Sequence, residues 1–211
     1  MVSMTQFQCF VLAPVGLESA RLLLASSRAD AVCLLPVAGA DAVDSALSLA
    51  ARLPGLKQFG LSITQPKDIN QVAANRPAQL VALVASAAAL VACASQVAAL
   101  RAGGLAVSCE AIRWDEQSNS LCDKVDGFVL KGHECGGVVT EQTSFVLLQE
   151  FRRNTSVPLF VRGGITPETA AAAAAGGAKG VVLDDQIMLV LRRNSCSRTK
   201  LVCSVTTPPH S

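Results

Sequence analysis

A lysine, a histidine and a carboxylate crowd into Lys131-Gly132-His133-Glu134-Cys135-Gly136-Gly137, directly after the apolar residues 127–130. An amine at the end of an apolar strand can form a Schiff base if it points inward and is desolvated. Pointing outward, the commoner arrangement, Lys131 is a surface lysine whose stem runs past a helix. His133 is the one histidine outside the C-terminal tail, so any imidazole acid/base role falls to it. A lone histidine in a glycine-rich loop, however, more often serves as a hydrogen-bonded structural residue. Glu134 can act as a base or pair with Lys131 or Arg162, and pairing is the more common use. Gly132, Gly136 and Gly137 permit close approach of backbone to a flat ligand or to a neighbouring loop.

Two further apolar runs end in polar groups. Residues 158–161 lead into Arg162-Gly163-Gly164, and residues 180–183 into Asp184-Asp185. Gly163 and Gly164 precede Thr166-Pro167-Glu168, a strong helix start with a hydroxyl cap, proline at the first position and an acid in the first turn. Glycines before a helix N-terminus suit a phosphate, because free N–H groups and the positive end of the dipole point at it. The same glycines equally suit a tight strand-to-helix turn. Asp184 and Asp185 would repel a phosphate. Glu110, Glu134 and Asp184 with His133 make a metal site on paper only; no ligand spacing supports it, and no metal is expected.

The elements that must position these groups follow a regular rhythm. Apolar strand candidates lie at residues 9–13, 31–36, 59–63, 80–85, 105–109, 127–130, 158–161 and 180–183, with helical segments between them. Thr140 is read as the cap of the helix after the sixth strand, Asp41 as that of the second helix, and a last helix is read over residues 186–193. Strands that are apolar throughout belong to a parallel sheet covered on both faces. Eight such units predict a compact α/β fold, the closed (β/α)8 TIM-type barrel with eight parallel strands, over residues 1–193, with 194–211 a linker or disordered tail. The glycine-rich fingerprint of a dinucleotide-binding open sheet is absent after the first strand. In such barrels the active site gathers at the C-terminal ends of the strands, where all three polar clusters fall.

Composition narrows the function classes. One Trp, no Tyr and a net charge of +2 without a basic block argue against nucleic-acid binding. The uncharged residues 80–100 are long enough to span a bilayer. Their alanine content and Ser86 instead predict a buried strand followed by a helix, so no membrane role is expected. The eight cysteines include no CxxC pair and several sit in apolar runs, as small buried hydrophobes do. With no basic leader at the N-terminus, a reducing cytoplasm is the expected location.

Gly132-His133-Glu134-Cys135-Gly136-Gly137 resembles the G-x-E-A-G-G segment of the nitronate monooxygenase (2-nitropropane dioxygenase) barrels. Val161-Arg162-Gly163-Gly164-Ile165 and Ala175-Gly176-Gly177-Ala178-Lys179-Gly180-Val181 resemble that family's seventh and eighth strands. The likeness is strongest to copies embedded in polyketide or polyunsaturated fatty acid synthases, and its convincing motifs span residues 126–190. The resemblance implies an FMN-dependent oxidoreductase acting on a small-molecule substrate. It would set Gly163, Gly164 and the loop around Asp184 at the flavin phosphate, and Gly136 and Gly137 near the flavin. Where those enzymes carry a catalytic histidine after the paired glycines, this chain has Val138. That departure and the Asp184-Asp185 pair motivate an alternative, a non-catalytic barrel appended to other domains of a larger synthase. A third reading is a Schiff-base aldolase with Lys131 as nucleophile and Glu134 as proton shuttle.

Overall fold

Eight parallel strands close on one another in sequence order, β1 against β2 and so on round to β8 against β1, to form a barrel. The computed structural model describes residues 7–15, 19–184 and 186–187. The strands are β1 Gln8–Leu12, β2 Val32–Val37, β3 Phe59–Ile63, β4 Leu80–Ser86, β5 Ala106–Ala111, β6 Gly127–Lys131, β7 Leu159–Arg162 and β8 Gly180–Leu183. The helices are α1 Ser19–Arg28, α2 Ala42–Ala51, α3 Pro66–Ala74, α4 Ala87–Ala92, α5 Ala94–Ala102, α6 Glu116–Leu121, α7 Ser144–Asn154 and α8 Pro167–Ala175. The predicted TIM-type barrel is the fold observed. The helix read over residues 186–193 and the tail 194–211 lie outside the described residues.

Strand alternation sorts the apolar residues into two separate cores. An outer layer between strands and helices holds Val11, Leu61, Leu83, Val107, Leu130 and Val181, among many others. The inner layer, inside the barrel, is small: Phe10, Val32, Leu34, Ala82, Val84, Val129, Phe160 and Val182. Because both faces of every strand are covered, both read as apolar in the sequence.

The uncharged residues 80–100 split at Ser86 as expected, into β4 and the helical stretch that follows it. The helical part is itself broken at Cys93, whose φ of −117° and ψ of 35° leave the helical region between α4 and α5. Ser86 accepts a bond from the Ala89 amide and thereby caps α4. Among the described residues no helix is long and apolar enough to cross a membrane.

Two predicted caps differ. Thr140 does not start the helix after β6: its hydroxyl donates to the Ile112 carbonyl at 3.1 Å and accepts from the Gln142 amide at 3.2 Å. Thr143 caps α7 instead, accepting from Val146 N at 3.2 Å. Asp41 stands at the N-cap of α2 at φ 56° and makes no side-chain cap bond. The irregular segment after β5 is pinned by Trp114, which meets Phe151 edge-on at 5.0 Å, while Phe151 meets Phe128 at 5.3 Å. This aromatic wedge ties β6 and α7 to the chain just beyond Glu110.

Candidate functional site

Val129, Phe160 and Val182 point into the barrel. Two residues further along each strand, the same parity carries Lys131, Arg162 and Asp184 into its C-terminal mouth. On β5, Ser108 pairs with the inward Val84, so Glu110 joins them. The strands run one residue further than the apolar runs suggest, because the ladder continues through Lys131↔Arg162.

These four side chains form one chain of ion pairs. Lys131 Nζ lies 3.6 Å from Glu110 Oε1. Arg162 Nη1 donates to Glu110 Oε2 at 2.6 Å, and its Nε donates to Asp184 Oδ2 at 3.2 Å. Lys131 and Asp184 are buried, at 7% and 6% exposure. Two cations against two carboxylates leave the chain neutral, as burial requires. Lys131 therefore adopts the inward orientation, the less common of its two options. The glycine-rich loop lies over its amine: a Cβ on Gly137, at φ +80°, would sit 3.4 Å from Nζ.

Glu134 pairs with neither Lys131 nor Arg162, contrary to expectation. Its carboxylate accepts from Ser144 N at 3.1 and 3.2 Å and from Ser144 Oγ at 3.4 Å. It thus sits at the N-terminus of α7, where the helix dipole favours an anion. Glu110 takes the cations in its place, reaching them along the inner face from β5. His133 leaves the cluster altogether: its ring is half exposed, with Nδ1 3.8 Å from Glu134 Oε2, and its amide donates to the Gln142 carbonyl. Gly136 lies exposed in the same loop. Val138 is 78% exposed. Among the described residues no group of three or more His, Cys, Asp or Glu could hold a metal ion.

Gly163 and Gly164 adopt φ of +102° and +61°, which only glycine takes easily. The face that a Cβ would occupy at Gly163 is already filled, since Cys135 Sγ would lie 2.7 Å from it. Burial first, then the neighbouring Asp184 charge, pushes the pKa of the Cys135 thiol up to about 12. Two donors at the start of α8 are taken by its own threonines. Thr166 Oγ1 accepts from Thr169 N, Thr169 Oγ1 accepts from Thr166 N at 2.7 Å, and Pro167 has no N–H to offer. The Glu168 carboxylate accepts from Thr166 Oγ1 at 2.7 Å, a bond that holds its pKa below the usual range. Gln186 bridges the last two loops, donating to the Ile165 carbonyl at 2.8 Å and accepting from Asp184 N at 3.2 Å. Asp185 lies outside the described residues.

An FMN phosphate needs open backbone donors and net positive charge at this point. Here the glycine face holds a cysteine, the helix cap is closed by its own threonines, and carboxylates of Asp184 and Glu168 flank the loops. The charge at these loops is therefore unfavourable to a phosphate, while the backbone glycines of the expected site are present. Gly163→Ala is expected to cost about 2 kcal/mol, from positive-φ strain together with overlap on Cys135. Urea unfolding measures it. In a Cys135→Ala background the penalty should fall but not vanish, because the overlap goes and the strain stays.

No protein-family model matches the sequence, and neither does any curated protein. Solved structures do match. FabK from Thermotoga maritima superposes with a TM-score of 0.67 at 20% identity, over 86% of this chain and 59% of that one. A mandelate oxidase variant carrying a monooxide FMN adduct gives 0.68 at 14% identity, over 93% and 71%. The N-acetylmannosamine-6-phosphate 2-epimerase of Clostridium perfringens gives 0.63 at 15% identity, over 91% and 95%. What they share with this chain is the barrel. The chain spans about three fifths of the length of FabK.

Proposed function

We propose that this chain is a flavin-barrel-type scaffold that no longer carries out flavin oxidoreductase chemistry, a non-catalytic domain appended to a larger synthase. The observation that carries this reading is the buried carboxylate of Asp184 at the end of β8, which, beside the Cys135 packed on Gly163, puts negative charge where a flavin phosphate needs positive charge. Likeness to the nitronate monooxygenase motifs, together with a barrel shared with an FMN-bearing mandelate oxidase, supports descent from a flavin barrel. Closure of the mouth by neutral ion pairs supports the loss of its chemistry. The purified protein should show no visible flavin absorbance and no rise in melting temperature with added FMN. A yellow protein with one FMN per chain, or turnover of an alkyl nitronate, would overturn the proposal.

A second reading rests on the inward, buried Lys131. Its amine could attack a small aldehyde or 2-keto acid, passing its proton to Glu110 at 3.6 Å and losing the carbonyl oxygen as water to leave an imine. Borohydride would then fix the carbon skeleton on Lys131 as a secondary amine. Glyoxylate or pyruvate with borohydride should leave the protein mass unchanged if the leading proposal holds. A single adduct that maps to Lys131 and disappears in Lys131→Met would establish the second reading instead.

A further inference from the structure

At the opposite end from the ion pairs, the described residues leave the barrel hollow. Barrels of this kind are filled by layers of bulky side chains, yet the lower inward positions of β4 to β6 here are Ala82, Ala106 and Gly127. Gly127 must stay small, because a Cβ there would lie 2.7 Å from the Phe160 ring. Phe160 and Phe10 meet edge-on at 5.2 Å and roof the space. Beneath them a cavity of about 500 Å³ opens at the N-terminal face, walled by Val32, Val81, Ala82, Val84, Leu105 and Ala106. Ser108 supplies a hydroxyl to the wall, and such an apolar space holds ordered water poorly.

The rim carries charge. Arg101 is fully engaged, donating to Asp126 at 2.8 Å and to the Asp123 carbonyl at 3.0 Å. Lys179, next to β8, is exposed and has no ion-pair partner among the described residues. Asp30, at the start of β2, stands on the same rim with β1 and Gln8 between the two.

The geometry points to a binding site for a single-chain anionic amphiphile, its tail in the barrel under Phe10 and Phe160 and its carboxylate on Lys179. About 150 Å³ accommodates benzene, so a cavity three times larger takes a chain of roughly ten to twelve carbons. This site is independent of the mouth and of the function proposed there.

Calorimetric titration with straight-chain carboxylates, below their micelle concentrations, tests it. From octanoate to decanoate, affinity should rise by about fourfold per methylene and then level off once the cavity is full. Ala106→Phe, or Ala82→Leu should the first not fold, should abolish binding. Lys179→Ala, at an exposed position, should weaken decanoate several-fold while leaving decanol unchanged. No heat of binding, affinity that keeps climbing with chain length, or decanol binding as tightly as decanoate would each overturn the proposal. So would binding seen only after removal of residues 1–6, which would make the chain itself the occupant.

Discussion

Raising the pH from 9 towards 11 is expected to unfold this protein cooperatively. Burial pushes the thiols of Cys33 and Cys109 up to about 12, against an ordinary value of 9.0. Above pH 9 the unfolded chain releases these protons and the folded chain keeps them. The unfolded state then binds fewer protons, so stability falls as pH rises, until the folded thiols also titrate. The stabilisation is complete below pH 9 and is lost through about pH 12. Each sealed thiol contributes a slope of about 1.4 kcal/mol per pH unit. Two of them remove about 5 kcal/mol by pH 11, comparable with the whole stability of a typical domain. Cys135, raised to the same value, acts in the same direction. The chain has no tyrosine, so no phenol competes in this range. Circular dichroism and urea melts at successive pH values, under reducing conditions, measure the slope. Cys33→Ala with Cys109→Ala should flatten it, whatever their effect at pH 7. An unchanged slope would refute the assignment.

Arg162→Met should be the most damaging single substitution at the mouth, at about 3 kcal/mol, or roughly 6–12 °C in melting temperature. Among the described residues the guanidinium is the only cation that pairs with both Glu110 and Asp184. Its loss leaves Asp184, 6% exposed, as a buried carboxylate without its cation. Removing one partner of such a pair costs more than the pair contributes. Glu110 is a quarter exposed and keeps Lys131, so it accounts for the smaller share. Arg113→Met is the control: its pair with Asp115 leaves Arg113 69% exposed and should contribute less than about 1 kcal/mol. If the two variants melt alike, the mouth network is not a structural element. Should Arg162→Met also create flavin binding, the network would be shown to exclude the cofactor.

Fold and site were legible to different depths. Gly-Phe-Val-Leu at the start of β6 announces a buried strand, and its neighbours at the same spacing announce eight. The α8 start, Thr166-Pro167, was equally plain, because caps are local chemistry. Thr140 misled because Thr143, three residues later, offers the same hydroxyl, and only the packing of α7 on β6 and β7 selects between them. The ion-pair chain was hidden for a different reason. Glu110 lies 52 residues before Arg162, and no local pattern links them. Counting by twos from Val129 and Phe160 would have placed Lys131 and Arg162 on one face. It could not have said which face was inside, because both sides of these strands are apolar.

The sequence by itself determined the barrel, through eight apolar runs spaced by helices, and put its charged residues at the C-terminal strand ends. Those features depend on periodicity and capping, which act over a few residues. Only the tertiary structure decided that Lys131 turns inward, that Glu110 rather than Glu134 neutralises it, that Cys135 packs on the Cβ face of Gly163, and that the described residues leave the lower barrel open. Each of these follows from closing the sheet. Closure fixes which parity faces the axis, and brings together side chains that the chain itself keeps far apart.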